Sequence, residues 1–190
     1  MYIEQEILDG CMSGDKRAQR ALHKACFPFL MKVCRLYSRD DQEAMSFFNG
    51  GFYKILKGLK RKKKNIPYHL WARKVMVNSI IDDYRKHKKY RKNEIAVEDF
   101  LVYENTHTNF DSDLADLIFE ADEIIEMIRE LPEMTAKVFM LFALEEIKYS
   151  EIADKLNITE STVRWHVSTA RKKLMDRMEV ASSKKKVAHE

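Results

Sequence analysis

Between Glu160 and Leu174 the sequence ESTVRWHVSTARKKL sets Ser161, Thr162, Arg164, Trp165, Ser168 and Lys172 outward from an apolar series, with Arg171 at the edge. That series is Val163, Val167, Ala170 and Leu174, spaced by four, three and four residues, which is one face of a helix. Hydroxyls and cations of this kind suit phosphate oxygens and base edges, and arginine can give guanine two parallel hydrogen bonds. The alternative is an ordinary helical hairpin with a basic, solvated face.

A second group of chemistry-bearing residues lies upstream. Lys62, Lys63 and Lys64 fall in the run KRKKKNIP, which cannot bury a core face and reads as a cationic loop. Trp71, Arg73, Lys74, Asn78 and Arg85 follow on a segment with helical spacing. Cations interleaved with aromatics suit an opened strand, whose bases stack on rings while its phosphates meet cations. Trp71 has a competing role in the core, where a tryptophan at helical spacing usually lies.

Catalysis and metal binding find little support. Asp82 and Asp83 are adjacent and so point to different helix faces, and no third carboxylate or histidine joins them at metal-site spacing. Cys11, Cys26 and Cys34 lack C-x-x-C spacing and lie among apolar residues, so reduced, buried thiols are expected. No four-ligand set forms around them and His23. No cofactor is expected. The acidic opening MYIEQEILDG lacks the layout of a signal peptide, and no apolar run approaches a membrane span, which points to a cytoplasmic protein.

The elements that must position these residues are all helical. Five Gly and three Pro in 190 residues, with abundant Leu, Ile, Lys, Glu and Met, favour an all-α chain. Ile152, Ala153 and Leu156 mark a short helix that stops at Asn157. Thr159 is placed to cap the next one, so 148–174 has the pattern of a helix-turn-helix. Earlier helices are expected over about 3–12, from an Asp15 cap to about Tyr37, from about Gln42 to Leu59, and from Tyr68 to about Tyr90. Their expected apolar faces are Ala18, Ala21, Leu22, Ala25, Phe29, Val33 and Leu36 for the second, and Phe47, Phe48, Phe52, Ile55, Leu56 and Leu59 for the third. The fourth is expected to bury Leu70, Trp71, Val75, Val77, Ile80, Ile81 and Tyr84. Pro28 interrupts the second helix, and Gly50-Gly51 marks a weak or closely approached point in the third. Two further helices are expected, one ending near Leu131 and one from Thr135 to Leu144.

The net charge of +4 conceals segregation. Lys54–Lys92 holds fifteen Lys or Arg against two acids, Asn93–Glu133 thirteen acids against Arg129, and Lys148–Lys186 ten cations against five acids. Alternating blocks suggest two nucleic-acid-binding modules and a connector. The expected organisation is a helical domain over 1–92, an acidic linker over 93–116, a second helical domain over 117–180 and a disordered tail over 181–190.

Two stretches resemble the extracytoplasmic-function group of bacterial sigma factors. YHLWARKVMVNSIIDDYRK (68–86) is similar to that family's W-x-x-x-I-A-x-N-x-x-x-D-x-x-R progression, at Trp71, Val75, Met76, Asn78, Asp82 and Arg85. Tyr149 to Leu174 is similar to its Y-x-E-I-A-x-x-L-x-I-S-x-x-T-V-R signature. The resemblance implies a promoter-specificity subunit of RNA polymerase, with no enzymatic activity alone. It implies that Ser161, Thr162, Arg164, Trp165, Ser168, Arg171 and Lys172 meet the minus-thirty-five element. Lys62, Lys63, Lys64, Trp71, Arg73, Lys74, Asn78 and Arg85 would meet the minus-ten element and help to open it. It implies core polymerase contacts at Ser46, Phe47, Asn49, Gly50 and Tyr53, although Ser46 and Gly50 stand where acids are common. Lys148 replaces a serine usual before Glu151, leaving a capping box incomplete. An anti-sigma factor, often membrane-bound, is a further implied partner. A stand-alone helix-turn-helix regulator is the other reading, and the cationic block at 60–92 argues against it.

Overall fold

The structure is a computed structural model that describes residues 3–63, 65–88 and 121–187. These fall into two compact units, within 1–92 and 93–190. Among the described residues there are helices and no strand. The segment expected to be an acidic linker, 93–116, lies outside them.

The first unit contains α1 (Gln5–Ser13), α2 (Lys16–Tyr37), α3 (Asp41–Gly58), a single 3₁₀ turn (Leu59–Arg61) and α4 (Tyr68–Lys88). Local chemistry sets the boundaries. Gly14 closes α1 at φ 90°, a conformation glycine adopts without Cβ strain. The Asp15 carboxylate accepts from the Arg17 N–H at 2.9 Å and starts α2. Asp40 does the same for α3 through the Glu43 N–H at 2.7 Å, while the Glu43 carboxylate accepts from the Arg39 N–H. The Pro67 carbonyl accepts the first bond of α4, from the Trp71 N–H.

The buried seam of α2 keeps Leu22 and Val33 of the expected face but is rotated away from its alanines. Leu22, Cys26, Leu30, Met31, Val33, Cys34 and Tyr37 are buried, whereas Ala21 and Ala25 are exposed. Alanine loses little by facing water, while cysteine and methionine behave as apolar side chains, so the seam follows the larger groups. The helix continues through Pro28, which is exposed. The Lys24 carbonyl that loses its bond there belongs to an exposed residue, within reach of water. All three cysteines are free and buried.

The third and fourth helices pack closely at Gly51. A Cβ there would fall 2.2 Å from Met76 Sδ, whereas one at Gly50 would meet open space. Gly51 is therefore the point of close approach, and Met76, with Ala72, occupies the inner face of α4. Leu70, expected inside, is 53% exposed. It lies about 160° around the helix from the buried Tyr68 and Ala72, on the side of α4 turned away from its neighbours. Lys60 and Arg61 belong to the 3₁₀ turn, not to an irregular loop, with Leu59 buried beneath them.

The second unit contains α5 (Ala121–Arg129), α6 (Glu133–Ala143), α7 (Tyr149–Leu156) and α8 (Glu160–Val187). Arg177 of α8 donates to the carbonyls of Met127 and Glu130 and pairs with the Glu130 carboxylate at 2.7 Å, satisfying the open C-terminal end of α5. Lys137 is buried and pairs with Glu133 one turn earlier at 2.6 Å. The tail expected to be disordered from 181 is helical through Val187. No Gly or Pro falls between Leu174 and Val187, so nothing in the local sequence stops the helix.

Candidate nucleic-acid interface

The sharp corner between α7 and α8 depends on three residues. Asn157 adopts the left-handed conformation at φ 53°, ψ 53°, which asparagine tolerates better than most residues. The Ile158 N–H then returns to the Ala153 carbonyl at 3.1 Å, closing α7. Thr159 Oγ1 accepts from the Thr162 N–H at 3.2 Å, opening α8 as expected. Lys148, at the head of α7, supplies no side-chain cap. Ile152, Ala153, Leu156, Val163, Val167, Ala170 and Leu174 are all buried, so the two helices lock by the seam read from the sequence.

Ser161, Arg164, Trp165, Ser168, Arg171 and Lys172 lie exposed on α8 within an arc of about 120° at 3.6 residues per turn. Thr162 sits half-buried beside them, its hydroxyl 2.7 Å from Thr159 Oγ1. The opposite side carries the buried seam. Trp165 is 41% exposed and stands edge-on to His166, 4.8 Å between centroids. His166 instead turns toward α6, its Nδ1 3.0 Å from the Thr135 hydroxyl. Burial pushes its pKa down to about 4, so the ring is neutral near pH 7.

Both arginines of this face lie over aromatic rings. The Arg164 guanidinium is 5.4 Å from the Tyr149 ring of α7, and that of Arg171 is 5.4 Å from the Phe142 ring of α6. Tyr149 and Phe142 contact each other at 4.9 Å. Arg164 Nη2 also donates to the carboxylate of Glu160. None of Tyr149, Phe142 and Glu160 is among the site residues read from the sequence. The Glu160–Arg164 pair has a legible signal in its four-residue spacing. The two aromatics reach α8 from other helices, and periodicity along one helix cannot reveal them.

In the first unit, Trp71, Lys74, Asn78 and Arg85 fall within an arc of about 60° on α4 by the same helical geometry. Lys74 and Arg85 are exposed; Asn78 and Trp71 are half-buried. Arg73 projects elsewhere, about 160° around the helix from Trp71, and is half-buried. Trp71 packs beside Tyr68 and against Gly58, where a Cβ would lie 3.1 Å from its ring. It thus joins core packing with partial exposure. Lys63 is exposed and Lys62 half-buried; Lys64 lies outside the described residues.

On α3, Ser46, Asn49, Gly50 and Tyr53 share one exposed stripe, with Tyr53 57% exposed. Phe47 does not belong to it. One residue on from Ser46 it turns about 100° into the core and is 6% exposed, so it adds little to that surface. Asp82, a candidate acid beside Asp83, is held in an ion pair with Lys54 at 2.9 Å. No metal-holding group of three His, Cys, Asp or Glu is found among the described residues. No helix among them is long and apolar enough to cross a membrane.

Residues 121–174 match the family model of sigma-70, region 4. The RNA polymerase sigma-H factor of Pseudomonas aeruginosa is 22% identical over 173 residues, covering 88% of this chain and 90% of that protein. Two solved structures also align. CnrH in complex with the cytosolic domain of CnrY is 17% identical, with a TM-score of 0.44 over 92% of this chain and 96% of that one. The sigma factor RpoE, in complex with the anti-sigma factor NepR from Bartonella quintana, is 13% identical, with a TM-score of 0.47 over 85% of this chain and 96% of that one.

Proposed function

We infer from the region 4 domain and the length-wide relationship to a sigma factor that this chain is a bacterial sigma factor of the extracytoplasmic-function group, the promoter-specificity subunit of RNA polymerase. The observation that carries the inference is the helix-turn-helix within 121–174, whose second helix presents hydroxyls and cations on one exposed face. A helix about 10–12 Å across fits the major groove, and its first turns can reach base edges.

The proposed division of labour follows the two units. The domain over 117–180 anchors on the minus-thirty-five element through Ser161, Thr162, Arg164, Trp165, Ser168, Arg171 and Lys172. The domain over 1–92 engages the minus-ten element. Extruding a base there costs a few kcal/mol in lost stacking and pairing. Binding the opened strand through Lys62, Lys63, Lys64, Lys74, Asn78 and Arg85 offsets that cost, with the accessible part of Trp71 as a stacking surface. Arg73 would act separately, on the flank of α4. Ser46, Asn49, Gly50 and Tyr53 form the surface for core polymerase, and the acidic segment 93–116 links the halves.

Further parts of the proposal are that the chain catalyses nothing alone, works in the cytoplasm and is restrained by an anti-sigma factor. The test is co-purification with core RNA polymerase. Retention on core polymerase with promoter-dependent transcription is the expected result. Duplex binding without polymerase association would leave a stand-alone regulator instead.

A further inference from the structure

We propose that Glu160 and Tyr149 are positioning residues that hold the Arg164 guanidinium for base readout. The inference rests on the region 4 reading and names what sets its specificity. Arg164 is gripped from two helices. Glu160, at the first residue of α8, takes Nη2 from one turn below, and the Tyr149 ring of α7 lies 5.4 Å from the guanidinium carbon. Tyr149 is itself braced by Phe142 of α6 at 4.9 Å.

Stability does not account for the Glu160–Arg164 pair. Their side chains are 42% and 64% exposed, and such pairs contribute little to folding. Glu160 also places a negative charge on a face meant for phosphates. It is favoured at a helix N-terminus, yet it opposes DNA binding in general. A carboxylate that weakens non-specific attraction while fixing one arginine acts on discrimination.

Arg171 supplies the contrast. It lies over Phe142 at 5.4 Å but has no carboxylate partner among the described residues. Its guanidinium is held by a ring alone, whereas that of Arg164 is held by a ring and a carboxylate, with Nη1 and Nε still without protein partners among the described residues. Freeing a side chain that must then be ordered on binding weakens association by roughly three- to tenfold.

The experiment selects promoter duplexes randomised through the upstream element with reconstituted holoenzyme. It compares the wild type with Arg164→Ala, Glu160→Ala, Glu160→Gln and Tyr149→Leu. Glu160→Ala is expected to relax preference about three- to tenfold at the same base pair as Arg164→Ala, and to raise binding to unselected duplex. Glu160→Gln, still an acceptor, keeps most of the preference, and Tyr149→Leu, which keeps apolar bulk, relaxes it at that same base pair. Unchanged preference in Glu160→Ala would overturn the proposal while leaving the region 4 reading intact. A change at a different base pair would make Glu160 a direct contact and also overturn it. A wild-type holoenzyme without upstream preference would remove the region 4 reading itself, and this proposal with it.

Discussion

Adjacent glycines in α3 should respond to the same substitution with opposite signs. Alanine at Gly50 meets open space, so it should stabilise the first unit by about 0.5–1 kcal/mol through helix propensity alone. Alanine at Gly51 would set its Cβ 2.2 Å from Met76 Sδ and 2.7 Å from Cε, against an ordinary contact above about 3.4 Å. Methionine can swing aside, but Met76 is 0% exposed and has packed neighbours on every side. Overpacking of this kind costs about 1–3 kcal/mol, which exceeds the propensity gain in most of its range. The two variants should therefore differ by about 2 kcal/mol, or roughly 10 °C in Tm for a unit of this size. One tryptophan lies in each unit, so a Trp165→Phe background lets Trp71 fluorescence report the first unit alone during urea or thermal unfolding. Adding Met76→Ala should remove much of the Gly51→Ala penalty, since the two groups collide directly. Equal shifts of the same sign, or a Gly51→Ala penalty indifferent to Met76, would refute the close approach of α3 and α4.

Replacing Lys62, Lys63 and Lys64 by Gln should slow promoter opening more than closed-complex binding, seen as reduced permanganate reactivity of unpaired thymines; unchanged opening would remove the loop from the mechanism. Tyr53→Ala should weaken retention on core polymerase without lowering Tm, whereas Phe47→Ala should cost about 3–5 kcal/mol of stability as a buried aromatic truncation. His166 gives a pH dependence of known sign. Below about pH 6.5 the unfolded chain binds a proton that the folded ring does not accept until about pH 4, so the second unit loses stability as pH falls through that window. Urea titrations at several pH values should show this slope in the wild type and a flatter one in His166→Gln.

How far the sequence carried the structure depends on how much each side chain commits to one side. Val163, Val167, Ala170 and Leu174 alternate with charged and hydroxyl residues, and the helix-turn-helix and its outward face were legible from that contrast. The seam of α2 was legible only in part, because the alanines in its pattern can face either way, while Leu22, Val33 and the cysteines are buried as read. Phe47 illustrates a different limit: a motif aligned by resemblance includes its buried position together with its exposed ones. The Tyr149–Arg164 and Phe142–Arg171 pairs join residues on separate helices, so only the packing of the second unit brings them together.

The central claim is that this chain gives RNA polymerase its choice of promoter. The direct measurement is to map transcription starts on a fragmented bacterial genome with core polymerase, with and without the chain. Discrete starts that appear only with the chain, each preceded by two sequence elements at a fixed spacing, are the predicted result. Starts that are identical with and without it, despite duplex binding by the chain alone, would contradict the claim.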